Sequence, residues 1–358
     1  MQTVFHGSIR IGRALATGLS LTALLLLTAC GAGRLATATP PATSQSNPTS
    51  STAANTGAVS SNGSANSGPT AFSDATQLRG IVSFLASDDL KGRDTGSDGL
   101  EKAAEFLEER LDQYGIAPYF SSYRDTLTNV KDPAFNIVGV IWGSDPQLKD
   151  QFVVLGAHYD HIGIVPLKDG DGIANGANDN ASGTATVLEL ARNLVSSKPP
   201  ARSILIAFFS AEERGLLGSE HLADRLAADG FNLYGMLNFE MTGVPMQGKS
   251  YFTYITGFDK SNLAELSNKY GGEDLVGFLP SALEYNLFQR SDNYTFYKRF
   301  QVPAHTYSTF DFNNYAHYHQ PADEADQMDY AHMADFVNRL IPVVRGIADA
   351  AEQELIAR

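Results

Sequence analysis

The feature that most constrains this chain is a series of apolar runs that each end in acidic or imidazole side chains. Residues 152–155 (FVVL) read as a buried strand and lead into GAHYDHIG at 156–163. Later runs end in NDN, EE, NFE and HYH. Residues two apart on an extended chain point to one side, so His158 and Asp160 face together. An imidazole beside a carboxylate suits a metal ligand and the group that orients it.

Strand and helix patterns alternate along the chain. Helical spacing marks residues 75–86, 100–114, 180–196, 216–228, 261–270 and 330–356, the last with a kink expected at Pro342. Strands are expected at 136–142, 152–158, 203–209, 235–239, 251–256 and 302–308. SILIAFF at 203–209 is apolar throughout, the mark of a strand covered on both faces. Residues 271–300 have weak periodicity and read as loops beside the site. The alternation predicts an α/β domain with a central mixed, mainly parallel sheet, covered by helices on both faces in a three-layer sandwich.

Sites in such sheets lie beyond the carboxyl ends of the strands. His158, Asp160, Asp179, Glu212, Glu213, Glu240 and His319 all take that place. Singly, Asp179 reads equally as a helix cap, the two glutamates as favourable charges at a helix start, and His319 as a loop histidine. Separate readings do not explain why all of them arrive at strand ends.

Composition narrows the partners. The net charge is −14, which argues against nucleic acid, whose backbone must be neutralised by cations. The single cysteine, Cys30, excludes an internal disulfide. It follows Arg10, Arg13 and an apolar run of about 16 residues, short of the ~20 that span a bilayer. A basic head, a short apolar stretch and small residues describe an export signal over residues 1–29. Leu27-Thr28-Ala29-Cys30 resembles the lipobox of bacterial lipoproteins, whose cysteine carries the lipid. That resemblance implies a membrane partner, a lipid on Cys30, and a place outside the cytoplasm in the cell envelope. Residues 30–71 are rich in Ser, Thr, Ala and Pro, cannot bury enough surface to fold, and read as a tether reaching roughly 35 Å. The folded domain is expected at 72–358.

GAHYDHIG, GANDNASGT, SAEERGLLGS, LNFEMTG and YHQPADEAD, in this order, resemble metallopeptidase family twenty-eight, the two-zinc aminopeptidases that also include glutamate carboxypeptidase. LASDDLKGRDTGSDGLEKAA extends the likeness toward the start. The resemblance implies a zinc-exopeptidase fold, two Zn2+ ions and peptide substrates. It implies one zinc on His158, Asp179 and Glu213, and another on Asp179, Glu240 and His319, with Asp179 bridging. Asp160 would orient His158, Glu212 would be the general base, and Tyr318 would stand beside the substrate carbonyl. The peptide bond after the bridging aspartate, here Asp179–Asn180, is cis in that family.

The chain departs from the family at three points. Glu240 stands where the aminopeptidases usually carry Asp, Asn293 where many relatives have His, and His317 is a rival to His319. His161, His221, His305 and His332 read as structural or exposed. The expected function is an aminopeptidase. A carboxypeptidase or glutaminyl-cyclase-like enzyme and a non-catalytic binding module are the alternatives. A Cys30→Ser variant is expected to leave the membrane fraction, which cell fractionation and immunoblotting would read.

Overall fold

The computed structural model describes residues 71–272 and 274–358. The expected export signal, Cys30 and the expected tether up to residue 70 lie outside the described residues. The described strands are β1 (Ala117–Pro118), β2 (Arg124–Thr126), β3 (Phe135–Ile141), β4 (Phe152–His158), β5 (Ile164–Lys168), β6 (Asp171–Ile173), β7 (Ser203–Phe209), β8 (Leu233–Phe239), β9 (Thr253–Ile255), β10 (Val276–Gly277) and β11 (Ala304–Ser308). The main sheet runs β1-β3-β7-β4-β8-β11-β9-β10, with β2 beside β3. Its centre, β7-β4-β8-β11, is parallel, and antiparallel strands β3 and β9 flank it. Strands β5 and β6 form a separate hairpin.

Strand periodicity sorts the apolar side chains onto two faces. Val153, Leu155 and Ala157 of β4 pack on one side with Ile204, Ile206 and Phe208 of β7. Phe152, Val154, Leu205, Ala207 and Phe209 pack on the other. The first face is covered by α1 (Ala75–Leu85), α2 (Asp98–Gln113), α3 (Gly183–Val195), α5 (Leu263–Gly271) and α8 (Tyr330–Asp349). The second lies under α4 (Leu217–Ala228) and α7 (Asn293–Phe300). A short α6 (Pro280–Glu284) stands outside both layers. The three-layer mixed sheet expected from the alternation is the observed architecture.

Several elements differ from the sequence-based expectation. Helix α3 starts at Gly183 because Asp179 (φ −108°) and Asn180 (φ −133°) are not helical, and the Asp179–Asn180 peptide is cis. Helix α8 runs through Pro342 but stops at Asp349, short of 356. There the buried Arg202 guanidinium donates to Ala350 O at 2.5 Å, while buried Leu355 packs on Gly235. Residues 271–300 hold α6 and α7 where loops were expected; α7 buries only Asn293, Thr295 and Phe296, a stripe too polar to stand out.

His221, His305 and His332 stand apart from the cluster at the strand ends. His221 lies against buried Asp125. His305 donates from Nδ1 to Thr256 O at 2.8 Å, and its Nε2 meets Ser261 Oγ at 2.7 Å. His332 packs 4.9 Å from the Phe252 ring. Burial lowers His305 and His332 from 6.5 to about 4. Both are neutral in the folded chain at pH values where the unfolded chain has charged them. The unfolded state then binds more protons, so stability falls as pH drops from 6.5 toward 4. His332→Phe keeps the ring contact and removes that linkage. The acid-side loss of stability should shrink by about 1–3 kcal/mol, read by urea unfolding at several pH values.

Candidate metal centre

The parallel strands bring their carboxyl ends to one edge. His158 closes β4, Glu212 and Glu213 follow β7 within four residues, Glu240 follows β8 directly, and His319 lies in the loop after β11. Asp179 enters from the turn before α3. Ala211 (φ +54°), Met241 (φ +51°) and His319 (φ +56°) adopt left-handed backbone beside or at these groups. Such residues cost on the order of 1–3 kcal/mol each, so the surroundings must hold these turns.

The buried Asp179 carboxylate lies between two imidazoles. Its Oδ1 is 3.3 Å from His158 Nε2, and its Oδ2 is 3.1 Å from His319 Nε2. His319 Nε2 is also 3.2 Å from Glu213 Oε2. Two donor groups result: His158, Asp179 and Glu240, and His161, Asp179, Glu213 and His319. The resemblance paired Glu213 with His158 and Glu240 with His319; the structure pairs them the other way. The reason is register: Gly156 of β4 lies opposite Asn238 of β8, which brings Glu240 level with His158. Glu213 lies beyond the Ala211 turn and meets the His319 loop instead.

The donors fit a metal. Zinc bonds of ~2.0–2.1 Å in tetrahedral array separate neighbouring donors by about 3.3 Å, close to those three distances. His158 Nε2 and Glu240 Oε2 are buried without a hydrogen-bond partner among the described residues, which a cation would supply. Imidazole and carboxylate are ordinary zinc donors.

The remaining expected residues surround these donors. His158 Nδ1 meets the backbone carbonyl of Asp160 at 3.2 Å, whereas the Asp160 carboxylate is 3.7 Å away. Asp160 thus faces His158 chiefly through its main chain. Its carboxylate accepts from Glu212 N and Thr95 Oγ1, each at 3.2 Å. Glu212 lines a cleft of about 410 Å³ with Asp179, Glu213, Glu240, Tyr318 and His319, and it belongs to neither donor group. Tyr318 stacks on the His319 ring, centroids 3.9 Å apart. His317 packs against Tyr315 and is in neither group. Asn293 donates to Phe288 O and Ala304 O, tying α7 to β11.

Crowded carboxylates set the electrostatics. Burial raises Asp179, but the His158 and His319 imidazoles outweigh it and hold the group well below the carboxylate range. Burial lowers His319, and Asp179 and Glu213 more than reverse this, bringing it to about 10. Burial pushes Glu240 up to about 7, with His158 opposing and Asp179 adding. Glu212 is raised well above its usual value by burial, against His158 and with Glu240, Asp292 and Glu213.

Sequence reading missed four residues. His161, expected to be structural or exposed, is fully buried within the second donor group. Asp323, inside YHQPADEAD, accepts from Asn178 N at 2.7 Å, Asp179 N at 3.0 Å and Tyr315 Oη at 2.6 Å. Arg93 is wholly buried and donates to Tyr159 O, Asn175 O and Gly176 O, clamping the segments beside His158 and Asp179. Asp292 is buried with both carboxylate oxygens unpartnered among the described residues, and burial raises it to about 7. The motif around Asp323 was a signal for it; nothing local marks Arg93 as buried.

Fold and donors define the class: an α/β domain with an imidazole–carboxylate cluster of metal-site type at the ends of its parallel strands. The family model described as peptidase family M28 matches residues 136–344, and the chain belongs to that family. Over 121 residues it is 38% identical to an Arthroderma otae protein described as "Probable leucine aminopeptidase", covering 32% of this chain and 31% of that one. It is 30% identical over 217 residues to leupeptin-inactivating enzyme 1 of Streptomyces exfoliatus, covering 60% and 44%. The matches thus span less than half the length of these relatives. The fold is shared with the Legionella pneumophila LapA aminopeptidase, at a TM-score of 0.59 and 22% identity over 78% of this chain and 73% of that one.

Asp323→Asn sets an amide N–H against one of the backbone N–H groups that the carboxylate now accepts. The variant should lose about 1–3 kcal/mol of stability, measured by urea unfolding of the chelator-treated protein.

Proposed function

We propose that the chain is a zinc-dependent exopeptidase, an aminopeptidase that uses two Zn2+ ions and Glu212 as general base. The observation that carries this reading is the Asp179 carboxylate, whose two oxygens face His158 and His319 separately. His158, Asp179 and Glu240 would hold one ion, and Asp179, Glu213 and His319 the other. When bound, the ions supply Lewis acidity that polarises a carbonyl and acidifies water.

The chain's own groups do the rest. Glu212 faces the same cleft but is left out of both donor groups, so its carboxylate is free to take a proton. It is placed to accept a proton from water and to return it to the departing amine. Burial and the neighbouring Asp179 and Glu240 keep the Tyr318 hydroxyl protonated, so it can donate to the oxygen that gains charge. A smaller recess beside Glu240, lined by Tyr254, Leu287, Phe310 and Phe312 together with Arg290 and Thr306, would receive the side chain of the released residue. The aminopeptidase assignment follows the relative described as a leucine aminopeptidase. The export signal and Cys30 would set this activity in the cell envelope.

Glu212→Gln should lower kcat by about 10²–10⁴-fold with zinc content unchanged. The measurements are hydrolysis of leucyl-anilide and its N-acetylated form, with metal analysis and chelator and zinc add-back. Equal cleavage of the blocked substrate would defeat the aminopeptidase reading, and an active Glu212→Gln enzyme the general-base role.

A further inference from the structure

His161 is the buried imidazole at the centre that the two-zinc scheme leaves without a task. Its Nδ1 is 2.8 Å from Glu213 Oε1 and 3.8 Å from Asp179 Oδ2. Its Nε2 has no hydrogen-bond partner among the described residues. His161 could itself ligate a metal, or it could hold a residue that does.

The distances decide between these. Two donors on one tetrahedral zinc lie about 3.3 Å apart. His319 meets that spacing with both Asp179 (3.1 Å) and Glu213 (3.2 Å). The 2.8 Å between His161 Nδ1 and Glu213 Oε1 is shorter and is a hydrogen-bond length. The 3.8 Å to Asp179 is longer than a shared edge. Nδ1–H therefore donates to Glu213 Oε1, and the other oxygen, Oε2, is the one turned to His319.

We propose that His161 is a positioning residue that fixes Glu213 to bind its metal through Oε2 alone. A carboxylate held in this way occupies one coordination position and not two. The usual relation, in which a carboxylate orients a ligating imidazole, is here reversed. The ring is well placed for the task. His161 N donates to Arg93 O at 3.3 Å, and the ring lies over Gly176, where a Cβ would come within 2.6 Å of it.

This inference rests on the two-zinc reading, and one experiment separates their failures. Full-length wild type, His161→Phe and His161→Asn are titrated with zinc alone in competition with a chelator, and their Co2+ absorption spectra are compared. His161→Phe keeps ring volume without a donor; His161→Asn keeps an N–H near Nδ1 with less volume. Wild type should bind two ions. His161→Phe should bind one of them about 10–100-fold more weakly and the other within about twofold, whereas His161→Asn should regain most of the loss. The Co2+ bands of His161→Asn should match wild type. Unchanged affinity in His161→Phe would overturn the inference and leave the two-zinc reading standing. So would equal losses in both variants with altered Co2+ bands, which would make His161 a ligand. A wild type that binds no zinc would overturn both.

Discussion

The structure depends on one buried carboxylate held between two imidazoles. Asp179 is almost fully enclosed, and an ionised group so placed must be compensated by charge and hydrogen bonds. His158 and His319 face its two oxygens separately. The main chain at Asp179 is secured separately, by Asp323 accepting from its N–H. Arg93 fixes the carbonyls of the preceding turn at Asn175 and Gly176, and that of Tyr159 beside His158. The carboxylate is thus placed by long-range contacts, so that its two oxygens can serve two neighbours at once.

Around it the chain gathers far more acid than it can neutralise alone. Asp160, Asp179, Glu212, Glu213, Glu240 and Asp292 converge, and Glu240 and Asp292 are driven up to about 7 by burial. The buried guanidinium of Arg93 is a partial answer, and burial has lowered it to about 10. Concentrated buried acid of this kind is costly without cations. His158 Nε2 and Glu240 Oε2, without a hydrogen-bond partner among the described residues, point to where a cation would offset it.

Much of this was legible in the chain. Apolar runs of near-continuous hydrophobicity marked β4 and β7 because both faces of those strands are covered. The polar groups after them marked the edge on which the cluster forms. The place of His161 beside Glu213 was not legible for a physical reason: His158, Asp160 and His161 fall within four consecutive positions, and strand geometry ends at His158. Past that residue the alternation that assigns sides no longer applies. Asp323 and Arg93 had no periodicity to betray them, since each is buried by elements distant in sequence.

The sequence by itself determined the layered α/β architecture and the set of side chains delivered to the strand ends. Local apolar spacing fixes which segments are strands, and the residues after a parallel strand must emerge at its carboxyl edge. Tertiary structure decided which donors share a neighbour. The β4–β8 register sets Glu240 beside His158, and the left-handed turns at Ala211 and His319 swing Glu213 toward the His319 loop. Those are contacts between segments tens of residues apart, and no local pattern encodes the distance across them.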